Sequence, residues 1–176
     1  NLELNQPLSP VEITDRDGAH HAKLTWSPDG RYFAYPDFDV NGITQLYLYD
    51  PIAQQKTRIT DFADNAHAYG ISQIMWSLDS KKIIFTKVKY NKVDSYLYNY
   101  DAVDSVGVID IHSRGIDWID IADRGLADIW VGNNNNILIY LESNTTDEPI
   151  IMIYNLDNKL NTSKIHPQVF NIFPYY

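Results

Sequence analysis

The stretch Leu24-Thr25-Trp26-Ser27-Pro28-Asp29-Gly30-Arg31-Tyr32-Phe33-Ala34-Tyr35 leaves little choice but a strand, a tight turn and a return strand. Proline presets φ at the first corner, aspartate bonds its own backbone, and glycine accepts a positive φ. The layout recurs. Trp26-Ser27-Pro28-Asp29-Gly30, Trp76-Ser77-Leu78-Asp79-Ser80 and Trp130-Val131-Gly132-Asn133-Asn134 succeed one another at intervals of about fifty residues, a period that suggests propeller blades. A short apolar return strand follows each anchor, at 32–35, 83–86 and 137–141.

Third strands are expected at 45–49, closed by Asp50-Pro51, and at 151–156, closed by Asp157-Asn158. Fourth strands are expected at 56–60 and 163–165. In the middle unit 95–100 and 106–111 compete for the third place. The spacing from Asp50 to Ile59 matches that from His112 to Ile121, which favours 106–111 as third and 117–121 as fourth, with Lys89 to Ser105 an extended hairpin. Val11-Glu12-Ile13-Thr14-Asp15 resembles Thr57-Arg58-Ile59-Thr60-Asp61, and so reads as the outer strand of an incomplete unit. No stretch shows a 3.6-residue apolar period. The expected fold is all-β: a partial β-propeller of about three four-stranded antiparallel blades at 22–62, 72–122 and 126–170, in a single domain 1–176, plus an N-terminal strand at 11–15.

Composition narrows the partners. The 14 Lys and Arg against 23 Asp and Glu give a net charge of −9, which repels phosphate backbones and anionic lipid surfaces, so neither nucleic-acid contact nor membrane insertion is expected of this segment. There is no cysteine, hence no disulfide and no thiolate metal site. No apolar run approaches the roughly 18 to 20 residues that cross a bilayer as a helix. The chain begins at Asn1 rather than Met and is expected to be a piece of something longer.

At the anchors just described the chain resembles the TolB-type, PD40-like (WD40-like) β-propeller repeats. Their pattern is an Ile/Leu-Thr strand end, a polar loop, then Trp-Ser-Pro-Asp-Gly-Lys/Arg and a return strand. Ile13-Thr14 through Tyr35 matches closely, and Ile59-Thr60 through Phe85 matches with Leu78 for Pro and Ser80 for Gly. The third copy keeps Trp130, a Gly132-Asn turn and the strand pattern. Such repeats occur in periplasmic TolB-like proteins, in the extracytoplasmic part of membrane-anchored winged-helix regulators, and in the gating propeller of prolyl-oligopeptidase-like enzymes. The resemblance implies a periplasmic or otherwise extracytoplasmic, non-catalytic binding module. The alternative it leaves is a substrate-gating propeller whose catalytic domain lies outside this chain.

Connections from one blade's outer strand to the next blade's inner strand gather around the channel mouth. Here they carry Asp15, Asp17, His20 and His21, then Asp61, Asp64 and His67, then Asp120, Asp123 and Arg124. Such carboxylates and imidazoles can converge on a cation or a polar ligand. The plainer alternative is solvated connections with aspartates capping turns. Adjacent His20 and His21 on an extended segment point to opposite faces, which disfavours chelation of one ion. Tyr90, Tyr96, Tyr98 and Tyr100 of the extended hairpin are either a protein-binding surface or ordinary cross-strand pairs. The three anchor tryptophans are expected to pack between adjacent blades.

No Gly-x-Ser-x-Gly elbow is present, Gly70-Ile71-Ser72-Gln73-Ile74 failing at its last position, and no motif calls for a cofactor or a metal. Three blades and a fraction do not close a ring, so an end face must be covered. Homodimerisation, or a place in a longer propeller, is the expected remedy, with a protein or a small ligand as partner.

Overall fold

The computed structural model describes residues 24–63, 69–94, 97–119, 125–132, 136–142, 150–157 and 160–165. They form twelve strands and, among them, no helix. The first sheet holds β1 (Thr25–Trp26), β2 (Phe33–Phe38), β3 (Thr44–Asp50) and β4 (Gln55–Arg58). The second holds β5 (Tyr69–Trp76), β6 (Lys82–Asp94), β7 (Leu97–Asp110) and β8 (Ile116–Ile119). The third holds β9 (Gly125–Val131), β10 (Asn136–Glu142), β11 (Ile150–Asn155) and β12 (Leu160–Ile165). Each is an antiparallel meander in which every strand pairs with its sequence neighbour. This is the all-β arrangement of blades that the repeats imply. The proposed strand at 11–15 lies outside the described residues. Both rivals for the middle unit's third strand contribute to one long strand, β7, because the 89–105 hairpin simply prolongs the β6–β7 ladder.

Alternation decides which faces meet. Ala34, Leu46, Leu48 and Ile59 of the first sheet pack with Ile71, Ile74, Trp76, Ile83, Phe85 and Ile109 of the second. Ile84, Val106, Val108 and Ile119 form a second core with Ile129, Ile137, Tyr154 and Leu156 of the third sheet. The middle sheet is therefore covered on both sides, which is why β6 can carry Ile83-Ile84-Phe85 without a polar break. On the first sheet's other face Phe33, Tyr35, Tyr47 and Tyr49 form a separate aromatic cluster. There Lys56 Nζ pairs with Asp37 at 2.7 Å and lies over the Tyr47 ring at 4.3 Å. Burial, with the Asp37 charge beside it, pushes the Tyr35 hydroxyl well above the usual tyrosine range. Pro36 sits in β2 beyond the two residues that pair with β1, on the stretch where a missing N–H is least costly.

The turns show what the recurring Trp-Ser-x-Asp spelling achieves. Ser27 Oγ donates to Asp29 Oδ1 at 2.6 Å and accepts from the Tyr32 amide, while Asp29 Oδ1 also accepts from the Arg31 amide. Ser77, Asp79, Lys81 and Lys82 repeat the circuit at 2.7, 3.1 and 2.9 Å. Gly30 and Ser80 hold the left-handed corner at φ 70° and 60°. The two turns also touch, the Asp29 amide donating to Ser80 Oγ at 3.0 Å. A second device closes β3, β7 and β11, where a side-chain oxygen of Asp50, Asp110 or Asn155 accepts from amides two or three residues on.

Two of these turns contain non-glycine residues at positive φ, Gln54 at 51° and Arg114 at 60°. Replacing either by glycine is expected to stabilise the protein by about 0.5 kcal/mol, whereas Gly30→Ala, which meets no neighbour, is expected to cost about 1 kcal/mol through φ alone. Urea midpoints of the three variants check both signs.

The structure corrects one alignment. Trp26 pairs with Phe33 and Trp76 with Ile83, each the last pair before the turn, but the corresponding pair in the third sheet is Val131 with Ile137. The third turn is one residue shorter, so Trp130 is displaced by one position and falls on the opposite face. Of the three tryptophans expected between blades, Trp76 is buried and donates Nε1 to the Thr25 carbonyl at 3.1 Å across the sheet interface. Trp26 and Trp130 remain 53% and 44% exposed.

Candidate functional site

Residues 59–63, which follow β4, lie at the end of the first sheet where the β2–β3 turn also lies. What holds them is Gln45, whose side chain is wholly buried. Its Oε1 accepts from Thr60 Oγ1 at 2.8 Å and from the Phe62 amide at 3.0 Å. Its Nε2 donates to the Phe62 carbonyl at 2.9 Å and to Asp39 Oδ2 at 3.4 Å. All four polar positions of the amide are thus used. Thr60 Oγ1 accepts in turn from the Leu46 amide.

Charge is layered above this clamp. Arg58 Nη2 pairs with Asp61 Oδ1 at 2.9 Å and Nη1 approaches Asp39 Oδ2 at 3.6 Å, bridging an exposed carboxylate and a buried one. Burial pushes the Asp39 carboxyl up, but the Ile43 and Asn41 amides, the Gln45 amide and Arg58 more than offset it and hold it below the ordinary range. Beside the clamp, Phe62 meets Phe85 and Trp118, and Lys87 Nζ lies 5.4 Å and 5.9 Å over the Phe62 and Trp118 rings.

Of the ten mouth-loop residues named from sequence, Asp61 alone falls within the described residues, and its carboxylate is engaged by Arg58. Asp15, Asp17, His20, His21, Asp64, His67, Asp120, Asp123 and Arg124 lie outside them, as does Tyr96. Among the described residues no three His, Asp or Glu side chains gather as a metal site. Arg58, Asp39 and Gln45 were not singled out by the sequence. The Gln45 clamp leaves no motif, because its partners are two backbone groups and residues far along the chain.

The extended hairpin is a two-stranded ribbon at its far end. Tyr90 pairs with Tyr100, Asn91 with Asn99 and Lys92 with Tyr98. Positions 90, 92, 98 and 100 therefore share one side, and 91 and 99 the other. The register slips between Lys87 and Val88 and again between Lys89 and Tyr90, leaving Asp104 and Asp101 as the extra residues of two bulges in β7. Acidic bulges are a device that keeps an edge from recruiting another strand. Ser72 lies within β5, which runs on as a strand to Trp76 rather than turning into a helix as a nucleophile elbow does.

Several carboxylates of the turns respond to pH. The Ser27 hydroxyl and the Arg31 amide hold Asp29 below the usual range, and the Ser113 and His112 amides do the same for Asp110 against some burial. At Asp79 burial pushes up, and Ser77, the Lys81 amide and two lysine charges prevail. A depressed folded pKa stabilises the native state above the unfolded value and loses that contribution as pH falls through the folded value. Melting temperature is thus expected to hold from neutral pH to about pH 5 and to fall below about pH 4. Asp79→Asn, which takes up no proton, makes that decline shallower in a pH series of thermal melts.

No protein-family model matches the sequence, and no curated protein matches it. Solved structures do match in shape. TolB from Agrobacterium tumefaciens superposes with a TM-score of 0.51 at 14% identity, over 82% of this chain and 50% of that one. The acylaminoacyl peptidase of Pyrococcus horikoshii gives 0.53 at 16% identity, over 82% of this chain and 25% of that one. TolB from Acinetobacter baumannii gives 0.50 at 18%, over 81% and 31%. The likeness establishes a TolB-like β-propeller fold, present here in part, since the chain spans a quarter to a half of the length of these structures.

Proposed function

We propose that the chain is a non-catalytic propeller segment that binds a protein or a small ligand outside the cytoplasm, as the sensor part of a membrane-anchored regulator or as an envelope scaffold. The observation that carries this reading is the Gln45 clamp, which fixes Thr60 and Phe62 at the start of the connection from the first sheet to the second, the segment we take as a mouth loop. Binding residues held this way meet a ligand with less ordering still to be done. The ribbon adds a tyrosine- and asparagine-rich arm whose bulged edge leaves recognition to side chains. The test uses thermal unfolding with Ca²⁺, Zn²⁺ and a panel of short peptides as probes. A probe at about a hundred times its Kd adds ~2.7 kcal/mol, and Asp61→Ala combined with His67→Ala is expected to remove that gain. A melting temperature indifferent to every probe would sink the reading.

A second reading rests on the likeness to the Pyrococcus peptidase: a propeller that gates a hydrolase domain carried elsewhere in the protein. The coding sequence on either side separates the two. A transmembrane run preceded by a winged helix supports the sensor, and a nucleophile elbow supports the gate.

A further inference from the structure

The β2–β3 turn carries the one Asn-Gly step of the sequence, Asn41-Gly42, and Asn41 is exposed. Asp39 builds that turn. Its carbonyl accepts from the Gly42 amide at 3.0 Å, and its amide donates to the Ile43 carbonyl at 2.9 Å. Its Oδ1 accepts from the Asn41 and Ile43 amides at 2.9 Å and 3.0 Å. The other carboxylate oxygen, Oδ2, receives Gln45 Nε2 of the clamp and faces Arg58. One carboxylate therefore joins the turn to the residues that hold Phe62.

An asparagine side chain followed by glycine is open to attack by the next main-chain nitrogen, because no Cβ shields that nitrogen. We propose that Asn41 is a deamidation site, that the Asp39 turn guards it, and that its isoaspartyl product loosens the Gln45 clamp. The Gly42 nitrogen gives up its proton to hydroxide and bonds to Cγ of Asn41. The Cγ–Nδ2 bond breaks and, with a proton from water, the side-chain nitrogen leaves as ammonia. Water then opens the cyclic imide at either carbonyl, to aspartate or to isoaspartate. In the latter the main chain runs through Cγ and is longer by one atom. The guard is geometric. The nitrogen that must attack is held as a donor to the Asp39 carbonyl, so the reaction proceeds from the fraction of molecules in which this turn has opened. With the extra atom in place ahead of Gly42, Asp39 Oδ1 can no longer receive both amides, and the hold of Oδ2 on Gln45 Nε2 goes with the turn. The added carboxylate beside Asp39 opposes reclosure. None of this depends on what the mouth loop binds.

The full chain is aged at mildly alkaline pH and digested at intervals, and peptides spanning residue 41 are resolved by mass and by retention, which separates aspartate from isoaspartate. Conversion at Asn41 is expected in the folded chain, more slowly than in the same chain unfolded in urea. Asp39→Ala raises the folded rate by about tenfold or more, the effect of losing hydrogen bonds to a charged group. Gly107→Ala strains the core away from the turn and leaves the rate at that of the parent. Aged parent protein exchanges its Phe62 amide severalfold faster than fresh protein, while amides of β6 keep their rates. Ageing of the parent thus tests the site and the clamp whether or not Asp39→Ala folds. An Asn41 that stays intact in the folded parent after the urea sample has converted overturns the site. A rate that follows Gly107→Ala rather than Asp39→Ala overturns the guard. Unchanged Phe62 exchange in fully converted protein overturns the link to the clamp.

Discussion

Gly107→Ala is expected to destabilise the protein by about 3 kcal/mol, the upper end of what overpacking a core by one methyl costs. A Cβ built on Gly107 lies 2.8 Å and 3.0 Å from Cε1 and Cε2 of Phe85, closer than carbon atoms tolerate. Relief requires the ring to move. It is wholly buried, with Trp118 edge-on at 5.7 Å and Phe62 at 6.1 Å, so any shift disturbs both. Gly107 pairs with Phe85 on one side and Trp118 on the other, which explains why the smallest residue sits between two large ones in the middle of a sheet. Urea unfolding measures the loss. Phe85→Leu in the Gly107→Ala background is expected to recover part of it, a non-additivity proper to residues in contact. An alanine variant within about 0.5 kcal/mol of the parent would show that the ring yields freely.

Gln45→Leu is the second large effect, at about 3 kcal/mol. Leucine fills a similar volume but leaves the Phe62 amide and carbonyl and the Thr60 hydroxyl without their partner, and each buried polar group so stranded costs about 1 to 3 kcal/mol. Water entering the gap is the only partial remedy. The loss is local in one readout: the Phe62 amide, now protected by Gln45 Oε1, is expected to exchange with solvent markedly faster than amides of β6. If Gln45→Leu lowers stability while Phe62 exchange stays slow, the clamp is not what holds the loop.

Neither effect could be anticipated from the sequence, and the reason is the same for both. Hairpins are local, so Pro28-Asp29-Gly30 announces its turn, and alternation over 45–49 announces its strand. Gly107 reads as a weak point in a strand until the register places Phe85 beside it. Gln45 reads as the polar start of a strand until residues 60 to 62 fold back onto it. Recurrence misled once, at Trp130, because aligning anchor to anchor assumes turns of equal length and the third is shorter by a residue. Of the mouth-loop aspartates and histidines only Asp61 lies within the described residues, and its pairing with Arg58 shows that charge alone does not distinguish a ligand from a partner of the neighbouring arginine.

The double coverage of the middle sheet resists its opening. To open, β6 must give up two interfaces, one with each neighbouring sheet. Native-state amide exchange is therefore expected to be slow at Ile83 to Phe85, where both faces of the strand are packed.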